Sequence, residues 1–415
     1  MINCFIPFLS LPQARQTVRA LGLCDRIKNI YLLATEKIPD EVEGCEMLMI
    51  DSPASTATFR TIALHADTAY TLLYTKYTAF EPGQFAFERL LAIAGDTNAG
   101  MLYADRYLLK NGNSQQAPVI DYQKGSLRDD FDFGSLLFFR SSVLKQAVRA
   151  MDADYRFAGL YDLRLRVSEL AELVHVNEYL YSEVETDIRK SGEKLFDYVD
   201  PKNRAVQIEM EAVCTAYLKR VGGYLAPDFE PVTFDVGGFE QEASVIIPVR
   251  NRIRTIEDAI RSVLAQKTTF RFNLIIVDNH STDGTSEAIG KYTADGRVVH
   301  LVPERSDLGI GGCWNVGVHH PACGKFAVQL DSDDVYSGPD TLQKIVDAFY
   351  EQNCAMVVGT YRMTDFKMNE IPPGIIDHRE WTLENGRNNA LRINGLGAPR
   401  AFYTPVLRRI NLPNT

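Results

Sequence analysis

Along the chain, short apolar runs alternate with segments in which apolar residues recur every three or four positions. The first pattern predicts strands and the second predicts helices. Ile2-Asn-Cys-Phe-Ile-Pro7 opens as a strand, and residues 11–23 follow as a helix with Gly22 near its end. Residues 30–33 and the weaker 46–50 read as strands, 59–65 as a helix and 69–74 as a strand. Residues 85–94 read as a helix, and 99–105 and 135–140 as strands, with Ser141 placed to cap the next helix. Asp162 opens a further helix with Leu163, Val167 and Leu170 on one face. Strands alternating with helices predict an α/β fold with mainly parallel sheets flanked by helices.

The pattern then starts again. Residues 190–220 form a charged amphipathic helical region, and 222–242 mix Gly, Pro and acids without periodicity, as a linker does. Ala243-Ser-Val-Ile-Ile-Pro-Val-Arg-Asn251 is a strand interrupted by proline, as residues 2–7 were. In residues 255–264, Ile256, Ala259, Ile260 and Val263 share one helical face, and Thr255 stands at the capping position. Leu274-Ile-Ile-Val-Asp278 has no alternation, so it reads as buried on both faces, with Asp278 at its carboxyl end. A turn-rich loop follows at 279–285, then helix, then a strand at 298–302. Gly309-Ile-Gly-Gly leads into another helix. Lys325-Phe-Ala-Val-Gln-Leu330 is a buried strand that runs into Asp331-Ser-Asp-Asp334. Residues 357–361 read as a strand and 404–410 as a short helix.

The predicted division is 1–189, a helical and linker region at 190–242, and 243–415. Aligning residues 70–83 with 326–339 matches strand to strand. It sets Thr75 opposite Asp331 and Tyr77 opposite Asp333, while Thr35 and Glu36 stand where the Asp278 loop would be. The first half thus repeats the architecture of the second without its carboxylates. Chance likeness between two α/β domains is the competing account.

Composition narrows the function classes. A chain of 415 residues predicts two or three domains. A net charge of −10 argues against a protein that grips nucleic-acid backbones. No apolar run approaches the ~18–20 residues of a membrane helix. The N-terminus lacks the basic region and cleavage site of a signal peptide. Seven scattered cysteines without a C-x-x-C pair argue against zinc or a disulfide framework. The expected setting is cytoplasmic, including the inner face of a membrane.

The chemistry gathers at strand ends. At the carboxyl end of a central parallel strand, side chains emerge into the crevice where open α/β sheets bind ligands. Carboxylates crowded as in Asp331, Asp333 and Asp334 repel one another, which suits a divalent cation. On these four residues alone, a solvated acidic turn fits equally well.

Three motifs in order change that balance: Val245-Ile-Ile-Pro-Val-Arg-Asn251, Ile275-Ile-Val-Asp-Asn-His-Ser-Thr-Asp-Gly-Thr285 and Leu330-Asp-Ser-Asp-Asp334. Together they resemble the family 2 glycosyltransferases of the GT-A fold, over about residues 243–415. The resemblance implies two GT-A-like domains, the first degenerate. It implies that Pro248, Val249, Arg250 and Asn251 line the nucleotide-sugar pocket and that Asp278 accepts hydrogen bonds from the base. Asp331 and Asp333 would form the D-x-D pair that holds Mn²⁺ or Mg²⁺, with Ser332 touching the nucleotide through its backbone. The Asn-x-Gly stretch at Asn315 would shape the donor pocket. The implied reaction is inverting transfer of a hexose from a UDP- or GDP-sugar to a glycan or lipid-linked glycan hydroxyl. The implied pathway is bacterial polysaccharide biosynthesis.

That family draws its base from a Glu-Asp pair at a helix start. Between Trp381 and Thr415 the only carboxylate is Glu384, so the base is expected beyond Thr415 and the chain is read as truncated. Asp162 resembles the base helix, yet an ordinary helix-capping Asp accounts for it as well. His378 is open between a diphosphate contact and a surface histidine, and Trp381 between sugar stacking and core packing. Arg250, Arg252 and Arg254 are open between phosphate contacts and a solvated loop, and Asp283-Gly284 reads as a turn. Two rival functions stand beside the transferase: a sugar nucleotidyltransferase, and a non-catalytic carbohydrate- or nucleotide-sugar-binding scaffold.

Overall fold

The computed structural model of the protein describes residues 1–37, 40–110, 112–184, 203–393, 396–397 and 399–410. The chain divides into two units. The first comprises Met1–Ala226 with Glu380–Asn394, and the second comprises Pro227–Arg379 with Gly395–Thr415.

In the first unit the strands are β1 (Ile2–Pro7), β2 (Ile27–Ala34), β3 (Glu46–Met49), β4 (Tyr70–Tyr74), β5 (Phe80–Pro82), β6 (Met101–Lys110), β7 (Asn113–Ala117), β8 (Leu136–Arg140) and β9 (Leu173–Val184). They form one sheet in the order β3-β2-β1-β4-β8-β6-β9-β5, with β7 against β6. In the second unit they are β10 (Ala243–Val249), β11 (Phe272–Asp278), β12 (Val298–Leu301), β13 (Phe326–Gln329), β14 (Met356–Val358), the hairpin strands β15 (Tyr361–Thr364) and β16 (Glu370–Ile376), and β17 (Arg400–Tyr403). The main sheet runs β12-β11-β10-β13-β17-β14, and β15 pairs with β16 separately.

The two sheets repeat one another. In each, four strands run parallel, the fifth is antiparallel to them, and the sixth is antiparallel to the fifth and so runs with the first four. The registers agree as well. Ile2 pairs with Tyr70 as Ala243 pairs with Phe326, and Tyr70 pairs with Arg140 as Phe326 pairs with Tyr403. Met101 faces Phe139 as Met356 faces Phe402. The backbone N–H of Ser141 donates to Ala69, and that of Thr404 donates to Lys325. Counting from these pairs sets Pro7 against Pro248, Thr75 against Asp331 and Tyr77 against Asp333, in agreement with the sequence alignment. The ladders place Ala34 opposite Asp278, so Thr35 and Glu36 fall at the first two positions of the loop that follows it, where the sequence puts them. A bulge in β2, where Lys28 is the extra residue opposite the Ile2–Asn3 step, shifts that register, and no apolar pattern reveals a bulge.

β10 and β11 are buried at every residue, as their unbroken apolar runs predicted. The helix Ile256–Leu264 buries Ile256, Ala259, Ile260 and Val263 on one face of the sheet beside the helix Thr341–Gln352. Ile256, Ile260 and Val263 each contribute about 1.5–3 kcal/mol by leaving water. The helix Ile310–His319 covers the other face. Its Gly317 lies so close to β10 that a Cβ there would stand 2.6 Å from Ile246 Cγ2.

Two predicted caps are corrected. Ser141 bonds Thr71 Oγ1 (2.8 Å) instead of a helix N–H, and Thr255 makes no capping bond with its hydroxyl. The predicted strand 99–105 continues to Lys110, so Asp105 is interior and buried, bonded to His175 at 2.9 Å. Of the 190–220 helical region, residues 190–202 lie outside the described residues. The helix Arg204–Arg220 packs in the first unit, with Val213, Cys214, Tyr217 and Leu218 buried. Residues 222–242 are irregular, as expected. Among the described residues no helix is long and apolar enough to cross a membrane.

Candidate active site

The crevice opens where β10 and β13 part. Their ladder ends at Ile246 and Gln329, whereas β10 stays paired with β11 as far as Val249 and Asp278. Pro248 stands beyond the split, where its missing N–H breaks no ladder bond toward β13. Pro248 and Val249 are buried, and Arg250 and Asn251 emerge into solvent.

Two loops leave this edge and are tied to each other. Asn251, at φ 55°, accepts from Thr282 N through its Oδ1 (2.8 Å) and donates its own N–H to Ser281 Oγ (2.9 Å). Arg252 N donates to Thr285 Oγ1 (2.8 Å), and Ile253 N donates to Asp283 Oδ2 (3.1 Å). Asp283 thus does more than make a turn: it joins the 251–253 loop to the 279–285 loop. Bonds from Thr285 hold its carboxyl below the usual range. Nothing in the sequence pattern reveals this pairing, because the two loops are thirty residues apart and meet only when β10 and β11 pair.

Asp278 is fully buried. It accepts from Ser281 N (3.0 Å) and from Ser286 Oγ, and His300 Nε2 stands 3.5 Å away. Burial pushes its carboxyl up, but the bonds from Ser286 and Ser281, with the nearby His300, outweigh this and leave it below the ordinary value. A lowered native value means that the unfolded chain takes up the proton first. The stability Asp278 contributes is therefore complete above the unfolded value of about 3.9, and it is lost as the pH falls through that value to the native one. Replacing Asp278 by Asn is expected to cost about 1–3 kcal/mol near neutrality. It should also flatten the acid limb of a urea-midpoint profile below pH ~4. Parallel acid limbs for the two chains would contradict this account.

Asp331, Ser332, Asp333 and Asp334 follow β13 in a turn closed by Asp334 N to Asp331 O (3.1 Å). Gln329 Nε2 donates to Asp331 Oδ1 (3.1 Å), and Ser332 is buried. Asp333 is half-exposed, with Arg252 Nε 3.8 Å from its Oδ2. Asp334 is exposed, yet partial desolvation of its carboxyl and the charges of Asp331 and Asp333 raise it to about 6. This strained set of anions, with one cation at 3.8 Å, fits a divalent ion held by hard oxygens. The three carboxylates do not converge on one point. Among the described residues, only Cys24, Asp25 and Glu88 group so closely, at the surface of the first unit. Two carboxylates plus substrate phosphates are what Mg²⁺-type sites ordinarily use.

Asn251, Arg252, Arg254, Asp333 and Phe366 line a cleft of about 350 Å³. A larger hollow of about 560 Å³ in the first unit, lined by Arg15, Arg19, Glu41 and Glu43, lies at the helix Leu11–Gly22, not at a strand end. The first unit holds Thr75-Lys76-Tyr77 where the second has its carboxylates. There Lys76 Nζ (2.5 Å) and Arg106 Nε (2.9 Å) bond the buried Glu183. A divalent ion would meet those cations with repulsion. Asp162 is likewise engaged: it is buried, Arg166 Nε donates to it at 2.9 Å, and Arg220 lies 3.7 Å away. Trp381 and Glu384 lie in the segment Glu380–Asn394 of the first unit, and Glu384 is exposed. His378 is half-buried in the second unit.

A profile described as Glycosyl transferase family 2 matches residues 244–409, which hold both loops and the acidic turn. This segment belongs to glycosyltransferase family 2. Its sheet is mixed and mainly parallel, flanked by helices, and the first unit repeats its strand order. The chain is 33% identical over 120 residues to the putative teichuronic acid biosynthesis glycosyltransferase TuaG of Bacillus subtilis, covering 29% of this chain and 46% of that protein. It is 38% identical over 97 residues to an uncharacterized glycosyltransferase of Rickettsia conorii, covering 23% of this chain and 15% of the other. Among solved structures, residues 1–349 of TarS from S. aureus align at 24% identity and a TM-score of 0.34, covering 41% of this chain and 49% of that one. The mannosyltransferase PcManGT from Pyrobaculum calidifontis, in complex with GDP-Man and Mn²⁺, aligns at 17% identity and a TM-score of 0.32, covering 50% and 56%. The chain spans about half or less of the length of the curated relatives it matches.

Proposed function

We propose that the family 2 domain moves a sugar from a nucleoside-diphosphate sugar to a hydroxyl acceptor, with inversion. The observation that carries this reading is the placing, at the ends of the two strands that flank β10, of a buried, hydrogen-bonded Asp278 and of the under-compensated Asp331 and Asp333. Asp278 accepts from the nucleotide base, and its serine bonds keep it ionised for that role. Pro248 and Val249 form an apolar floor, while Arg250 and Asn251 flank it. Ser332 meets the nucleotide through its backbone. Asp333, with Asp331 beside it, would hold Mn²⁺ or Mg²⁺. When bound, the ion neutralises charge building on the departing diphosphate. Inversion needs a base on the opposite face of the sugar, and Asp162, already locked to two arginines, is unsuited to that role. The relation to a teichuronic acid enzyme supports polysaccharide assembly as the setting, by analogy alone.

The test is thermal unfolding with UDP-GlcNAc and GDP-Man, each with and without Mn²⁺. A donor at about 100 times its dissociation constant adds about 2.7 kcal/mol, which a melting curve resolves. A metal-dependent rise is expected for one of them or for its nucleoside diphosphate. Identical melting curves under all conditions would overturn the reading.

A further inference from the structure

β15 and β16 carry a tight turn at residues 365–369. Asp365 organises it: its Oδ1 accepts from Lys367 N (2.8 Å) and Asn369 N (3.0 Å), and its Oδ2 accepts from Asn369 Nδ2 (3.0 Å). Asp365 N also donates to Asn369 O, and Met368 N donates to Asp365 O, both at 2.9 Å. The turn therefore holds its side chains in fixed directions. Phe366 is held outward, 79% exposed. Leaving a phenyl ring in water forgoes the favourable burial of its apolar surface. An isolated exposed phenylalanine would need no explanation, but this one lines the same cleft as Asp333.

Arg254 lies against that ring, its guanidinium carbon 5.7 Å from the centroid. Arg252 faces Asp333, whereas among the described residues no carboxylate pairs with Arg254. The cleft thus has a metal-binding carboxylate on one side, and an aromatic plane with an uncompensated cation on the other. The first side suits the donor diphosphate. The second presents an apolar plane for a pyranose face and a charge for an anion.

We propose that Phe366 and Arg254 form the acceptor subsite, and that the acceptor is an anionic sugar bearing a carboxylate or a phosphate. The ring of Phe366 stacks under the acceptor sugar, and the Arg254 guanidinium pairs with its anion. This rests on the transfer reading of the cleft given above. Asp365 is a positioning residue, since its bonds aim the phenyl ring.

The experiment is saturation-transfer NMR on the full chain with saturating UDP and Mg²⁺. The probes are methyl β-glucuronide, glucose 6-phosphate and uncharged methyl β-glucoside. The two anionic probes separate carboxylate from phosphate as the preferred charge. At least one should bind the parent more tightly than the uncharged probe, by about two- to fivefold, the worth of one exposed ion pair. Phe366→Ala should weaken all three, Phe366→Tyr should restore them, and Arg254→Ala should erase only the preference for charge. Both side chains are exposed, so the variants should fold, and each should keep the melting shift that UDP and Mg²⁺ produce. Anionic probes that bind both Ala variants as they bind the parent would overturn the subsite, as would UDP binding with no probe bound at all. A parent that shows no UDP shift overturns the transfer reading, and the subsite with it.

Discussion

In the Asp333→Ala chain, the melting-temperature rise produced by a nucleotide sugar and Mn²⁺ is expected to disappear, and sugar transfer to fall by about 10²–10³-fold. The physical argument is charge. Asp331, Asp333 and Asp334 lie within four residues, and desolvation, with repulsion from Asp331 and Asp333 added to it, already raises Asp334 to about 6. Removing Asp333 relieves that repulsion and withdraws the more accessible of the two oxygen ligands proposed above. Metal-assisted leaving-group stabilisation is worth several kcal/mol, which sets the size of the loss. The apo chain should be unharmed, because Asp333 is half-exposed and its nearest cation, Arg252, is 3.8 Å away. Asp333→Asn should behave like Asp333→Ala in metal binding, since a neutral amide offers little to a hard cation. Calorimetric titration of Mn²⁺ with UDP present measures this directly. Wild-type metal affinity in Asp333→Ala would move the metal site elsewhere.

Replacing Arg392 by Met is expected to lower stability by about 3–5 kcal/mol, the cost of stranding a buried charge. Arg392 is 1% exposed and bonds Asp129 Oδ2 through one guanidinium nitrogen. Its other nitrogens donate to Asn389 Oδ1 at 3.0 and 2.8 Å. Burial already pushes the Asp129 carboxyl up, and the Arg392 charge pulls it back only in part. Without the arginine, Asp129 would be left buried and unpaired. The double variant Asp129→Asn with Arg392→Met should recover much of the loss, because no charge then remains to be desolvated. Urea midpoints of the parent, the two single variants and the double variant make the cycle. Strict additivity would show that the pair is not the source of the effect.

The placement of Arg392 also shows where sequence reasoning stops. Nothing in Asn385-Gly-Arg-Asn-Asn-Ala-Leu-Arg392 separates it from the family 2 sequence on either side. Yet the segment Glu380–Asn394 packs in the first unit, where Asn389 Nδ2 bonds Glu211 (2.8 Å) and Asn388 Nδ2 bonds Thr215 (3.0 Å). Such polar contacts, more than 170 residues apart in the chain, leave no periodic trace. The buried strands are the opposite case. β10 and β11 were legible because a strand covered on both faces must be apolar throughout, and so Asp278 was legible as the carboxylate at the end of such a run.

By itself, then, the sequence determined the two α/β units, the order of their strands' appearance, and the acidic turn after β13. These follow from local periodicity and from residue types that chemistry uses sparingly. The register that sets Ala34 against Asp278, the joining of the 251–253 and 279–285 loops through Asp283, and the placing of Phe366 beside Arg254 were decided by tertiary structure alone. Each depends on strand pairing or on a turn's direction, and many sequences satisfy those equally well.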